Sequence, residues 1–462
     1  MPLSRRLFMA GAATSVAFAG FAQRSDAQNA VTYVDEVYGY GPLVKDPQSI
    51  FDLPQGFSYQ VISQAGETMS DGFLAPHKMD GMGAIPLGPD RVALVRNHEL
   101  KPEDGNYGPF GYQRRLAPRF GGSRAFDIGA DGIPMPGGTT TLVYNTRSRQ
   151  LESQHLSLVG TAINCSGGIT PGGSWLTCEE TNMRAGKPGR QDHGWVFEVP
   201  ANARGLVEPV PIKAMGRFRH EATCTDPRTG IVYLTEDQDD GLFYRYLPND
   251  RNRLQAGGKL QALGFTGASG ETRNWAEVAF EPRAWRNAVW IDMDGVESSD
   301  DDLRKRGAAK GAAVFARGEG LHWGKGEMYF TATSGGAAKI GQIFRYVPSA
   351  QEGQAAERTA AGRLQLFVES RNPLHFDFVD NIIVAPWGHL IACEDKYTDN
   401  PVNHLKGILP DGRVYTLGRN VFQGNAELAG ACFSPDGSTL FLNIYWPGIT
   451  LAITGPWRNF RA

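Results

Sequence analysis

Six times along this chain the same short pattern recurs: a polar residue, an apolar run, a turn, a second apolar run and another polar residue. The copies open at Asp80, Asn164-Cys165, His220-Glu221, Arg317-Gly318-Glu319, Asp380-Asn381 and Glu427. They close at Asn97-His98-Glu99, Cys178-Glu179-Glu180, Glu236-Asp237, Thr333-Ser334, Cys393-Glu394-Asp395 and Asn443-Ile444-Tyr445. Between the runs stand Gly88-Pro89-Asp90, Gly172-Gly173, the stretch 226–230, Gly324-Lys325-Gly326, Trp387-Gly388 and Pro435-Asp436-Gly437. Two apolar runs around such a turn make a β-hairpin. In an antiparallel pair the start of the first strand lies beside the end of the second. Both polar ends of each unit therefore sit at one edge, and six units in a ring bring many polar groups, mostly carboxylates, to one mouth.

The units recur at intervals of about fifty to ninety residues, a propeller-like period. Further strand candidates at 140–144, 156–159, 195–199, 242–247, 342–347, 363–368 and 414–417 supply a second hairpin for most units. The expected fold is all-β: a single six-bladed β-propeller domain over residues 32–462 with a metal site at the channel mouth. Its 57 glycines and 28 prolines suit many short strands with tight turns. The last unit runs out near 450–457, so an early strand at 57–63 is expected to complete the final blade and latch the ring. Two stretches break the repeat and are expected as insertions near the rim. One is Gly/Pro-rich (101–138); the other is charged and partly helical (292–310).

Near its start the sequence carries Arg5-Arg6-Leu7-Phe8, with a small-residue-rich apolar run over 7–22 that is too short for a membrane anchor. Residues 1–27 are expected to be a twin-arginine signal peptide, which implies the twin-arginine export machinery as a partner and a periplasmic or secreted location. A net charge of -3, with no basic stripe, excludes a nucleic-acid binder. The five cysteines include no CxxC zinc pattern. Each is by default a buried, inert thiol. Cys178 stands above that default because Glu179 and Glu180 follow it.

The acids assigned to the mouth are Asp80, Glu99, Glu179, Glu180, Glu221, Glu236, Asp237, Glu319, Asp380, Glu394, Asp395 and Glu427. Strand alternation turns some of them away from the channel. Two unit charges about 4 Å apart still interact by about 4 kcal/mol at an effective dielectric of 20. A few such repulsions rival a whole domain's stability of about 5–15 kcal/mol. Arg96, Arg219 and Arg317 are too few to neutralise the set. Bound cations are the simplest resolution: oxygen ligands suit calcium, and a thiolate adds affinity for a transition metal. Glu99, Glu236 and Glu394 are expected among the ligands on this ground.

Thr177-Cys178-Glu179-Glu180, Gly216-Arg217-Phe218-Arg219-His220-Glu221, Arg317-Gly318-Glu319 and Glu427-Leu428-Ala429-Gly430 with Asn443 resemble the PhoX-type alkaline phosphatases over most of the chain. The resemblance implies a six-bladed propeller that hydrolyses phosphate monoesters with an iron and calcium cluster. It implies Cys178, Glu221 and Glu319 as iron ligands, Glu179, Glu180, Asp380 and Glu427 completing the iron and calcium shells, and Arg317 holding the substrate phosphate. Two positions depart from the family pattern: Gly318 stands where proline is expected and Thr181 where asparagine is expected. A calcium-dependent propeller hydrolase of lactones or phosphotriesters, and a non-catalytic calcium-binding propeller, are the alternatives. No G-x-S-x-G, P-loop or H-E-x-x-H motif supports other hydrolytic chemistry.

Overall fold

The computed structural model describes residues 31–462 except 122–123, 187, 397–401 and 424–425. The expected export signal lies outside the described residues. The turn-forming segments close where the sequence places them, and each of the six units is an antiparallel hairpin. The first of these, Met79–Pro86 with Arg91–His98, continues through Gly137–Asn145 and Gln150–Thr161 as a four-stranded sheet. Asn164–Ile169, Ser174–Glu179 and Val196–Pro200 make a three-stranded sheet. The hairpin Val379–Val384/Leu390–Glu394 heads a six-stranded sheet that also takes in Phe51–Pro54 and Leu43–Val44.

The inner strands pack side by side in a closed circuit. Met79–Pro86 lies against Asn164–Ile169, then follow His220–Thr225, Gly318–Trp323, Val379–Val384 and Leu428–Phe433, and the last returns to the first. Among the described residues the fold is propeller-like and all-β, apart from the helix Leu303–Ala309 and several 3-10 turns. Circularity is secured by Ser58–Gln64, which pairs with Ile449–Thr454 as the fourth strand of the final sheet. An early strand thus seals an edge that the chain's end would leave open.

The sheets are not all separate. Trp285–Asp292 pairs by its second half with Gly258–Phe265 and by its first half with Arg363–Glu369. It joins the hairpin systems of His220–Thr225 and Gly318–Trp323 into one ten-stranded sheet. The expectation of independent sheets fails here because one added strand covers two outer edges at once. Between these two systems lies an aromatic core in which Phe330 stacks on Phe243 at 4.4 Å and on Phe344 at 5.2 Å. Such pairs add about 0.5–1.5 kcal/mol each beyond their buried area, which ties the two hairpin systems together.

The segment 101–138 lies within the first sheet's connection and folds as short turns over Pro102–Tyr107, Tyr112–Arg114 and Ala117–Arg119. The segment 292–310 ends in the helix Leu303–Ala309, which is fastened by Arg304 to Asp240 at 2.6 Å and to Asp301 at 2.6 Å. Among the described residues no helix is long and apolar enough to cross a membrane.

Candidate metal centre

Each of the six hairpins carries the same irregularity at the same place. Met79 pairs with His98 but Met82 with Arg96, so three residues of the inner strand face two of its partner. The same step separates Asn164 from Gly167, His220 from Thr223, Gly318 from Leu321, Val379 from Ile382 and Ala429 from Cys432. This is a β-bulge, which re-aims the side chains it carries. The residues opening the six bulges are Asp80, Cys165, Glu221, Glu319, Asp380 and Gly430. Five of the six are metal-ligand types. The residues that follow allow close approach: a Cβ at Gly320 would stand 2.6 Å from the Asp380 carbonyl oxygen. In the sixth sector the amide of Gly430 donates to Asn381 Oδ1 at 2.8 Å, and Asn443 donates to the Asp80 carbonyl at 2.6 Å.

Two overlapping groups of ligand atoms result, each with all its atoms within 4.8 Å of one another. One holds Cys165, Glu180 and Glu221; the other holds Glu221, Glu319 and Asp380. Glu221 belongs to both, and neither of its buried oxygens receives a hydrogen bond. Asp80 Oδ1 is likewise buried without a donor. Burial, and then the charge of neighbouring acids that include Asp237, Glu99 and Asp395, holds the carboxyls of Asp80, Glu180, Glu221, Glu319 and Glu427 well above the ordinary range. Burial and the neighbouring Asp395 push Asp380 up to about 7. Buried carboxylates left without donors are costly. A cation is the partner that this donor set fits, with hard oxygens for calcium and one thiol for a transition metal.

Four expected ligands stand elsewhere. Cys178 is enclosed by Leu176, Val196, Met215 and Leu234, and burial alone raises its thiol. The thiol beside the acids is that of Cys165, whose Sγ donates to Asp80 Oδ2 at 3.6 Å. Glu179 is saturated by protein donors: Ala162 N–H and His193 Nδ1 reach Oε1, and Gly194 and Trp195 N–H reach Oε2. Glu394 accepts from Asp377 N–H, His404 N–H and His404 Nδ1, with Lys396 Nζ at 3.1 Å. Glu236 accepts from Leu242 N–H and Tyr244 Oη, and burial raises its carboxyl to about 8. All three glutamates end a second strand and tie down the following turn.

Glu99 lies at the margin of the cluster, where Tyr445 donates to it, and its charge bears on Asp80 and Glu427. Arg317 stands at the rim, with Nη2 2.6 Å from Glu319 Oε1. Sequence reasoning passed over Cys165, although Asn164-Cys165 occupies the same place in its unit as His220-Glu221. That recurrence is the signal that identifies it.

A propeller-like ring that gathers donor-less carboxylates and a thiol at one end of its channel belongs to the class of propeller proteins with a cation-ready active centre. The profile of the PhoX alkaline phosphatases matches residues 38–448, and the chain belongs to that family of metal-dependent phosphoric monoester hydrolases. PhoX of Pseudomonas fluorescens, solved in complex with the transition-state analogue vanadate, aligns over 92% of this chain and 98% of its own. At 18% identity and a TM-score of 0.64 it shows the same fold. XC5397, a gluconolactonase of Xanthomonas campestris, aligns over 92% of this chain and 99% of its own at 12% identity. Its TM-score of 0.41 carries no weight. No curated protein sequence matches the chain.

Proposed function

We propose that the cluster holds iron and calcium, that Cys165, Glu180, Glu221, Glu319 and Asp380 are its principal ligands, and that Asp80, Glu99 and Glu427 complete the calcium shell. The observation that carries this reading is Glu221, shared by both ligand groups with two buried oxygens that no protein donor reaches. Bound metal would polarise phosphoryl oxygens and offset developing negative charge. Coordination would also deprotonate the Cys165 thiol, which burial and the charges of Asp80 and Glu221 otherwise keep protonated.

In this reading Arg317 takes the substrate phosphate, since a guanidinium offers a fork of donors suited to phosphate oxygens. Glu319 sits between the metal group and Arg317, so the phosphate would lie against both. The substrates are small phosphate esters. The ten-stranded sheet counts as two blades joined at their outer edges, which makes a six-bladed propeller. Export through the twin-arginine machinery places the folded enzyme in the periplasm or the medium.

Elemental analysis of the purified protein, paired with turnover of p-nitrophenyl phosphate, tests the reading. Stoichiometric iron with calcium-dependent turnover is expected. An iron-free protein with full activity overturns it, and calcium alone with turnover of a lactone or phosphotriester favours the other hydrolase class.

A further inference from the structure

Arg317 has a left-handed backbone, φ +58°, an uncommon conformation for a residue with a side chain. Such a conformation is strained, and it persists where its surroundings over-determine it. Here the backbone is pinned on both sides. Arg317 N–H donates to the Gln238 carbonyl at 2.9 Å, and its own carbonyl accepts from Thr333 N–H at 2.9 Å. Gln238 follows Asp237, and Asp237 grips the same arginine's side chain. Nε donates to Asp237 Oδ1 at 2.8 Å and Nη2 to Asp237 Oδ2 at 3.2 Å. One dipeptide, Asp237-Gln238, therefore fixes both the main chain and the guanidinium of Arg317.

The pair is partly withdrawn from water, with side chains 23% and 12% exposed. It also spans the site. Asp237 extends the second strand of one hairpin, Val232–Glu236, while Arg317 leads into the inner strand of the next, Gly318–Trp323. Asp237 lies beside Glu180 of one ligand group, and Arg317 touches Glu319 of the other. A two-point carboxylate fork orients a planar guanidinium in a way a single contact does not. The three second-strand glutamates fasten their own turns, whereas Asp237, one residue past Glu236, reaches out to a neighbouring hairpin.

We propose that Asp237 is a positioning residue for phosphate recognition: it aims the Arg317 guanidinium at the substrate rather than ligating metal. The inference rests on the assignment of Arg317 to the substrate phosphate.

The test is a double-mutant cycle on the metal-loaded full chain with Asp237→Ala, Asp237→Asn, Arg317→Ala and the Asp237→Ala/Arg317→Ala pair. The measurements are kcat/KM for p-nitrophenyl phosphate, the inhibition constant for inorganic phosphate, metal content and Tm. Asp237→Ala is expected to lower kcat/KM by about 10- to 100-fold, the usual cost of losing an orienting partner. The inhibition constant is expected to rise by a similar factor, with metal content unchanged. The double variant is expected to match Arg317→Ala alone, because the two residues act as one unit. Asp237→Asn keeps the size and one acceptor, so it should fall between wild type and Asp237→Ala and remain folded. Additive losses, a normal inhibition constant in both Asp237 variants, or a fall in their metal content would overturn the proposal. An Arg317→Ala variant with unchanged kcat/KM would instead remove the parent assignment, and the Asp237 inference with it.

Discussion

Cys165 Sγ lies 3.6 Å from Asp80 Oδ2, across the seam between two adjacent inner strands, and both residues open the bulge of their own strand. Thirteen positions later the second cysteine of the same hairpin, Cys178, faces apolar side chains. The two thiols thus predict opposite phenotypes. Cys165→Ser should lose iron and more than about 100-fold in activity, beyond the 10–100-fold cost of an outer partner, while remaining folded with calcium. Cys178→Ala should keep its iron and activity and lose only about 1 kcal/mol of stability through the small cavity. Elemental analysis and thermal melts of the two variants check this. Iron retained by Cys165→Ser would sink the ligand assignment.

Metal removal should reveal the cluster's repulsion as a pH effect. Asp380 is raised to about 7, chiefly by burial, and its neighbours Glu221, Glu319 and Glu427 are displaced in the same direction. A carboxyl whose folded pKa exceeds its unfolded value binds more protons when folded, so stability falls as pH rises from about 4 towards 7. Chelator-stripped protein should therefore melt at a clearly higher temperature at pH 5 than at pH 8. Added calcium should flatten that slope. Melting curves across pH 5–8, with and without chelator, decide the matter; equal slopes in both conditions would contradict a cation-filled cluster.

The hairpins were legible because their turns are local chemistry: glycine, proline and aspartate at fixed places stop one apolar run and start the next. The ring closure was legible too, since a missing fourth strand at 450–457 calls for an outside partner. The site was harder. Strict alternation along a strand gives no warning of a bulge, so which acid turns inward could not be read from any single unit. Glu179, Glu236 and Glu394 look like ligands in sequence, yet Glu179 and Glu394 are taken up by backbone and His donors on either side of them, and Glu236 turns Oε2 to Leu242 N–H and Tyr244 Oη and Oε1 towards Arg304. Trp285–Asp292 was invisible as a strand because its charged and polar residues show no regular pattern. Only Ala288 of its eight residues is buried, and Arg363 lies over Trp285 at 4.4 Å, so polar residues are tolerated there.

Removal of residues 29–65 should cripple folding. That segment carries Ser58–Gln64 and Phe51–Pro54, which pair with Ile449–Thr454 and Val414–Asn420. Without them two sheet edges lie open, and Phe51, Leu53 and Ile62 no longer cover the core. The truncated chain is expected to be insoluble, or to melt at least about 10 °C lower. A truncated protein that melts like the full chain would show that the ring closes by some other means.

The last prediction concerns alkaline conditions. His193 is fully buried between two acids, with Nδ1 2.6 Å from Glu179 and Nε2 3.1 Å from Asp127. Burial alone would lower its pKa, but the charge of Glu179 and the hydrogen bonds it donates to both acids raise it to about 9. His193 is therefore charged when folded at neutral pH and locks the turn that carries Gly194 and Trp195 against Glu179, one residue before Glu180 of the acid cluster. A histidine with a raised folded pKa contributes stability that is complete below about 6.5 and is lost as pH climbs through about 9. The Tm of the wild type should accordingly decline between pH 7 and 10. His193→Asn, which leaves two buried carboxylates without their cation, should cost about 3–5 kcal/mol at neutral pH and flatten the decline. Metal content should persist in the folded fraction, because both Glu179 oxygens are already taken up by protein donors. A variant that keeps the full alkaline decline would mean that another group titrates in this range.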